Sequence, residues 1–449
     1  MSLIKNILKL KRKNFIFFTT PSHSQNAQFE SILGKKYFRV DFSEIDELDN
    51  LNTPRTSILE LEKELQEIYD SSYTKILTNG STQGILALML ATLEQGDKVL
   101  CATNCHKSVH NGLILCKAEP IWIYPSFIQD YGVYGSISAN SIENAILENP
   151  DAKCLIITNP TYDGIISDLT KISELCKQHN ILLIVDEAHG ALWNFDKSLG
   201  TPAILSGADA SVQSLHKTCG CINPAALLHI SKNSCISKQK IIDSLQLIST
   251  TSPSFALLCN VEETIKFLHS KKGKKRIEKL INNITQIINK IKKLKNIEIL
   301  QSHNDITKIL IKPLKISAEE FSNILYTKFR IECEIQHSNS LTFLCGFGTS
   351  EKNLKRLYKA LKYINKLSNK HDYHKAEHIT IPCRTQLLPP HAAFFSDFTY
   401  SSPKESIGKI CAEIITTYPP GIPLLTYGEK ISEDHTKLLP TDIKIRIVN

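Results

Sequence analysis

Two stretches of this chain carry residues that can do chemistry together. An apolar run ends in a carboxylate at Ile184-Val185-Asp186-Glu187-Ala188-His189-Gly190, and Ser214-Leu215-His216-Lys217-Thr218 follows it. A carboxylate at the end of a buried strand costs desolvation free energy unless it is paired. A lysine amine condenses with an aldehyde to form a Schiff base once it has lost its proton, and burial or a nearby cation lowers its pKa. Both demands are met by one cofactor, pyridoxal 5'-phosphate. Lys217 would hold its aldehyde carbon, and Asp186 would keep the pyridine nitrogen protonated so that the ring remains an electron sink. Ala188 is small enough for the ring to lie flat beside it.

A phosphate-binding sequence stands upstream. Thr78-Asn79-Gly80-Ser81-Thr82-Gln83-Gly84 follows an apolar strand and opens an apolar helix. A helix start offers unpaired N–H groups and a favourable dipole to an anion. Ser81 and Thr82 add hydroxyls, with Ser214 and His216 completing the cup. Capping of the helix by Ser81 or Thr82 is the competing explanation. His106, in Asn104-Cys105-His106-Lys107-Ser108, follows another strand and is placed to stack on the ring's outer face. His189 has either a catalytic or a structural role. Pro160-Thr161-Tyr162-Asp163-Gly164 either forms a turn or brings Thr161 toward the substrate.

These residues need a scaffold that gathers strand ends. Apolar runs at residues 75–78, 98–102, 121–124, 154–159, 181–186, 210–213 and 225–229 predict strands, and amphipathic helices separate them. That alternation signals a mostly parallel sheet covered on both faces, with ligands bound at the carboxyl ends of its strands. One long helix is expected from residue 255 to 294. A strand at 308–311, a helix at 318–329, strands at 333–336 and 341–345 and a helix at 351–367 predict a smaller α+β unit. The expected division is an arm at 1–56, a large cofactor-binding domain at 57–254, a helix and small domain at 255–370, and a C-terminal segment at 371–449.

Composition narrows the class. The chain has 449 residues, 53 basic and 45 acidic, for a formal charge of +8. Its densest basic patch, Lys271-Lys272-Gly273-Lys274-Lys275-Arg276, falls in the helical region and reads as a solvated face, so no nucleic-acid partner is expected. Thirteen cysteines sit mostly alone in apolar runs. That argues for reduced thiols in a reducing, cytoplasmic setting. The basic-then-apolar start mimics a signal peptide, but the apolar core at Phe15-Ile16-Phe17-Phe18 is too short. No apolar run reaches the length of a membrane span, and no metal site is expected.

Taken together, the motifs resemble the Orn/Lys/Arg decarboxylase family, a branch of the fold-type-I pyridoxal phosphate enzymes. The matching pieces include Thr250-Thr251-Ser252-Pro253-Ser254-Phe255 and Tyr418-Pro419-Pro420-Gly421-Ile422-Pro423, which are not general to such enzymes. The resemblance implies an α/β, aspartate-aminotransferase-like large domain plus smaller α+β C-terminal domains. It implies decarboxylation of lysine, arginine or ornithine to a polyamine precursor, in a homodimer or higher even oligomer whose Thr251 and Ser252 approach the partner's cofactor. The length is similar to the family's short form, which lacks a receiver-like N-terminal wing. By resemblance Lys217, Asp186, His106 and His189 are the catalytic residues, and Ser81, Thr82, Ser214 and His216 contact phosphate. Glu413 is the expected partner for the substrate's cation. The chain departs from the family at Thr20-Pro21-Ser22-His23-Ser24, where Gly and Lys are usual after Pro. It departs again at Leu425-Thr426-Tyr427-Gly428-Glu429, where Pro-Gly-Glu is usual. Those departures leave two alternatives open: another reaction of the same cofactor, such as amino transfer, or a non-catalytic regulatory protein.

Overall fold

The structure is a computed structural model, and it describes residues 16–17, 49–300, 304–367, 378–416 and 421–449. The Ser22 and Ser24 departure lies outside these residues, as do Tyr418, Pro419 and Pro420.

Seven strands form the central sheet: β1 (Tyr73–Leu77), β2 (Lys98–Ala102), β3 (Glu119–Ile123), β4 (Cys154–Thr158), β5 (Leu182–Asp186), β6 (Ala210–Ser214) and β7 (Ala226–Ile230). Their order is β1-β7-β6-β5-β4-β2-β3. All seven expected strands are present, with ends shifted by a residue or two. The sheet is mostly parallel, but β7 runs antiparallel to both neighbours. Alternate residues of one strand feed different cores. Val99 and Cys101 join a core with Ile156, Ile184 and Val212 on one face, while Leu100 and Ala102 join Leu155, Leu183 and Val185 on the other. Both faces are apolar, so the strands read as unbroken apolar runs.

Helix α1 (Gly80–Thr92) follows β1 and packs against the sheet. Its approach depends on Gly84, where a Cβ would lie 2.2 Å from Val212 Cγ1 and 2.7 Å from Leu77 Cδ1. Helix α2 (Lys107–Cys116) follows β2.

The expected long helix is two helices, α3 (Phe255–His269) and α4 (Lys271–Ile291). Ser270 separates them. It is extended (φ −69°, ψ 159°), and its hydroxyl accepts the Gly273 N–H as an N-cap,. Apolar periodicity runs through this break, which is why the pattern reads as one helix. The four lysines of the basic patch are exposed on the first turns of α4. Arg276 lies with its guanidinium 4.9 Å from the Phe347 ring centroid.

The smaller unit holds a four-stranded antiparallel sheet of β8 (Ile297–Ile299), β9 (Lys308–Pro313), β10 (Ile335–Gln336) and β11 (Leu341–Leu344), in the order β8-β9-β11-β10. Strand β8 is absent from the sequence reading because three residues leave too short a pattern. The C-terminal segment has its own small core, including Cys411, Leu425, Ile431 and Ile445. It is pinned to the large unit at Thr426, whose hydroxyl lies 3.0 Å from His110 Nδ1.

Candidate active site

A cavity of about 230 Å³ opens where strands β4, β5 and β6 end and helix α1 begins. Ser81, Thr82, His106, Asp186, Ala188, His189, Ser214, His216 and Lys217 all line it. Residues separated by more than a hundred positions meet there because consecutive crossovers return each parallel strand to the same edge.

The anion end is built at the start of α1. Gly80 has φ +72° and turns the chain into the helix, a conformation that costs glycine little. Neither Ser81 nor Thr82 is the N-cap; Asn79 holds that position, without a side-chain cap bond. The Ser81 hydroxyl instead lies 2.6 Å from that of Ser214. His216 donates from Nδ1 to the Ala225 carbonyl at 3.0 Å, which fixes the ring's orientation.

The opposite end is acidic. Asp186 is buried, and its Oδ1 accepts the Ala188 N–H at 3.1 Å. Burial raises its pKa, and the Lys217 charge opposes that rise. Lys217 opens onto the cavity. The surrounding protein withholds enough water to push its amine below the ordinary lysine value, against the attraction of Asp186 and Glu334. Its Nζ lies 3.0 Å from His189 Nε2. His189 is held well below the usual histidine range by burial and by the cations of Lys217 and Lys308, so its imidazole is neutral. Its backbone carbonyl accepts from Lys308 Nζ at 2.6 Å, and Lys308 is paired with Asp305 at 2.7 Å.

His106 both caps α2 and lines the cavity. Its Nδ1 accepts the Ser108 N–H at 3.2 Å, so Nε2 carries the proton. Burial, aided by Lys217, lowers its pKa to about 3. The ring edge is covered by Gly421 of the C-terminal segment. A Cβ on Gly421 would lie 2.9 Å from His106 Cδ2, and its φ is +87°.

Two expected substrate residues do not line this cavity. The Thr161 hydroxyl accepts the Ile165 N–H at 3.1 Å and holds a turn. Glu413 accepts the Arg446 N–H at 2.7 Å. Tyr162 is the residue of that turn that enters the cavity, with Lys217 Nζ 5.7 Å from its ring centroid. Thr158 also lines it, and its buried hydroxyl has no hydrogen-bond partner among the described residues. Its position at the end of β4 was the available signal. Arg384, the late arginine that an aminotransferase reading would need, is instead paired with Glu429 at 2.8 Å and stacks over Trp122. Gly428 (φ +85°) has no room for a Cβ beside the Leu388 carbonyl. The Gly and Glu of the altered Tyr427-Gly428-Glu429 motif thus keep structural duties.

The donor set suits pyridoxal phosphate. Hydroxyls and a helix start face one end, and a buried carboxylate with one oxygen unclaimed by any described residue faces the other. A lysine amine sits between them, and the partnerless Thr158 hydroxyl adds a further polar group.

The strand order, the carboxylate ending β5 and the lysine just past β6 define a pyridoxal-phosphate-type transferase fold, shared by decarboxylases and aminotransferases. A lysine decarboxylase of Francisella novicida superposes with a TM-score of 0.81 at 19% identity, over 94% of this chain and 76% of that one. An alanine–glyoxylate aminotransferase of Nostoc sp. gives 0.59 at 13% identity, over 78% and 95%. The family model for the Orn/Lys/Arg decarboxylase major domain matches residues 3–321. An arginine decarboxylase of Bacillus subtilis is 30% identical over 93% of this chain and 88% of its own length. The inducible lysine decarboxylase of Escherichia coli is 22% identical over 65% and 44%. The chain belongs to the Orn/Lys/Arg decarboxylase family, and it is an amino-acid decarboxylase.

Proposed function

We propose that this chain removes the α-carboxylate of a basic L-amino acid, arginine first, with lysine and ornithine as the other members of the class. Pyridoxal phosphate is the proposed cofactor, the homodimer the proposed unit and the cytoplasm the proposed setting. The observation that carries the reading is the convergence of Asp186, Lys217 and His189 on one cavity beside a helix start. Arginine leads because the relatives matched over most of their length include arginine decarboxylases.

The chemistry that the cofactor supplies when bound is a covalent handle on the substrate amine and an electron sink for the bond to the departing carboxylate. The residues do the rest. Burial lowers the Lys217 amine below the ordinary lysine value, which eases the loss of its proton. Asp186 offers a charge to hold a ring N–H. His106 and Ala188 bound the cavity, and Gly421 keeps His106 in place. His189 Nε2 and Lys217 Nζ, 3.0 Å apart, form a pair that can hold one proton and return it to the α-carbon.

The test is carbon dioxide release from a panel of amino acids, with keto acids assayed in parallel. Release from basic amino acids alone is the expected result. Keto-acid formation without carbon dioxide would make this an aminotransferase. Borohydride should fix the cofactor onto Lys217, as peptide mapping reads.

A further inference from the structure

The smaller unit carries a buried ion pair whose hydrogen bonds run to the active site. Lys308 opens β9, and its Nζ lies 2.7 Å from Asp305 Oδ2; the two side chains are 0% and 1% exposed. A buried pair adds little to stability, because taking both charges out of water costs about as much as their attraction returns. Apolar residues of similar volume would fill the space as well. What the ion pair adds is a set of fixed hydrogen bonds.

Three of those bonds hold segments that carry site residues. Lys308 Nζ donates to the His189 carbonyl at 2.6 Å. Asp305 Oδ2 accepts the Trp193 indole N–H at 2.9 Å, four residues past His189. The Asp305 N–H donates to the Gly164 carbonyl at 2.8 Å, at the end of the turn that puts Tyr162 in the cavity. Asp305 is itself held by Thr307, whose N–H and hydroxyl donate to Oδ1 at 2.8 and 2.7 Å. The rings of Tyr162 and His189 stand 5.2 Å apart between centroids. The His189 ring has no partner at Nδ1 among the described residues, and Nε2 meets Lys217. The ring is therefore aimed by its backbone and by Tyr162, and both are fastened to the ion pair.

We propose that Lys308 and Asp305 are positioning residues: they fix the His189 backbone, and with it the 3.0 Å approach of His189 Nε2 to Lys217 Nζ. A proton-transfer partner must stand within hydrogen-bond reach, and a displacement of about 1 Å costs up to about a hundredfold in rate. Neither Lys308 nor Asp305 lines the cavity, so neither touches a ligand held there. The inference rests on the reading above that His189 and Lys217 return the proton to the α-carbon.

The test is a double-mutant cycle in the holoenzyme. Lys308→Met alone would leave Asp305 buried without its cation, so it is combined with Asp305→Asn, which keeps an acceptor for Trp193 and removes both charges together. This neutral pair should lower kcat for amine formation by about tenfold to a hundredfold, with KM within about twofold. Lys308→Gln with Asp305→Asn keeps an N–H donor for the His189 carbonyl and should lose less. In a His189→Gln background the neutral pair should cost no more than about twofold, since residues that act through His189 have nothing left to act on. The same loss with and without His189 would make the ion pair structural only and overturn the proposal, as would an unchanged kcat in the neutral pair. If His189→Gln itself keeps the wild-type kcat, or the wild type turns over no amino acid, the reading of the reaction fails instead. Nuclear magnetic resonance of cofactor-free protein with isotope-labelled histidine then decides the positioning. The His189 ring signals, assigned by their absence in His189→Gln, should move in the neutral pair while those of His435 stay, and unmoved signals would overturn it.

Discussion

In the proposed reaction the site's electronics turn on Asp186. It is buried at a strand end, where desolvation works against its charge. The Lys217 charge and the Ala188 N–H offset part of that cost, and a cation held opposite the carboxylate would offset more. Asp186→Ala should therefore retain some cofactor but lose turnover by at least about a hundredfold, roughly 2.7 kcal/mol in barrier. A variant within about tenfold of wild type, measured by carbon dioxide release with cofactor saturating, would remove Asp186 from that role. Two of the expected substrate residues lie outside the active-site cavity. Thr161 Oγ1 accepts the Ile165 N–H, and Glu413 Oε1 accepts the Arg446 N–H. Which side chain of a tight turn faces inward depends on the turn's direction, and composition does not encode that.

At the scale of elements, the site depends on how closely α1 lies on the sheet. Gly84→Ala would gain helix propensity, worth about 1 kcal/mol. The new Cβ would also meet Val212 Cγ1 at 2.2 Å and Leu77 Cδ1 at 2.7 Å. Both neighbours are fully packed, so overpacking, about 1–3 kcal/mol, should win. The expected outcome is a lower denaturant midpoint and weaker cofactor binding, since the helix carries Ser81 and Thr82. An unchanged midpoint in a chemical unfolding curve would contradict this packing. The elements that sequence reading found, β1 to β7, are those whose apolar runs record burial on both faces. The break at Ser270 went unseen because the apolar stripe continues across it, and only the hydroxyl bond to the Gly273 N–H ends one helix and starts the next.

At the scale of the whole molecule, a pH dependence and an assembly are expected. His229 is buried, its Nδ1 lies 2.9 Å from the Thr74 hydroxyl, and its Nε2 has no partner among the described residues. Burial lowers its pKa to about 3, against an ordinary value near 6.5. The unfolded chain then binds the proton more readily than the folded one. Stability from this group is present above about 6.5 and is lost as pH falls toward about 3, at up to about 1.4 kcal/mol per unit. His106 acts in the same direction. The melting temperature should rise from pH 4 to pH 6.5, and His229→Gln should flatten part of that slope; a parallel slope in the variant would count against it. For assembly, Thr251 and Ser252 are exposed, as are Phe395, at 75% of its surface, and Tyr400, at 57%. Sedimentation should show a homodimer or higher even oligomer, and a fully active monomer would refute the shared-site reading.

By itself the sequence determined the sheet's seven strands, the covered α/β class and the meeting of Asp186 and Lys217 at one cavity. Each of these is written locally: burial in apolar runs, and chemistry in residues placed at the ends of those runs. Tertiary structure alone decided that β7 runs antiparallel, that Tyr162 rather than Thr161 enters the cavity, and that Gly421 lies on His106 from more than three hundred residues away. Those features arise from contacts between distant segments, where the direction of a turn and the space left beside a ring set the outcome. A residue's type and its neighbours in the chain carry no record of either.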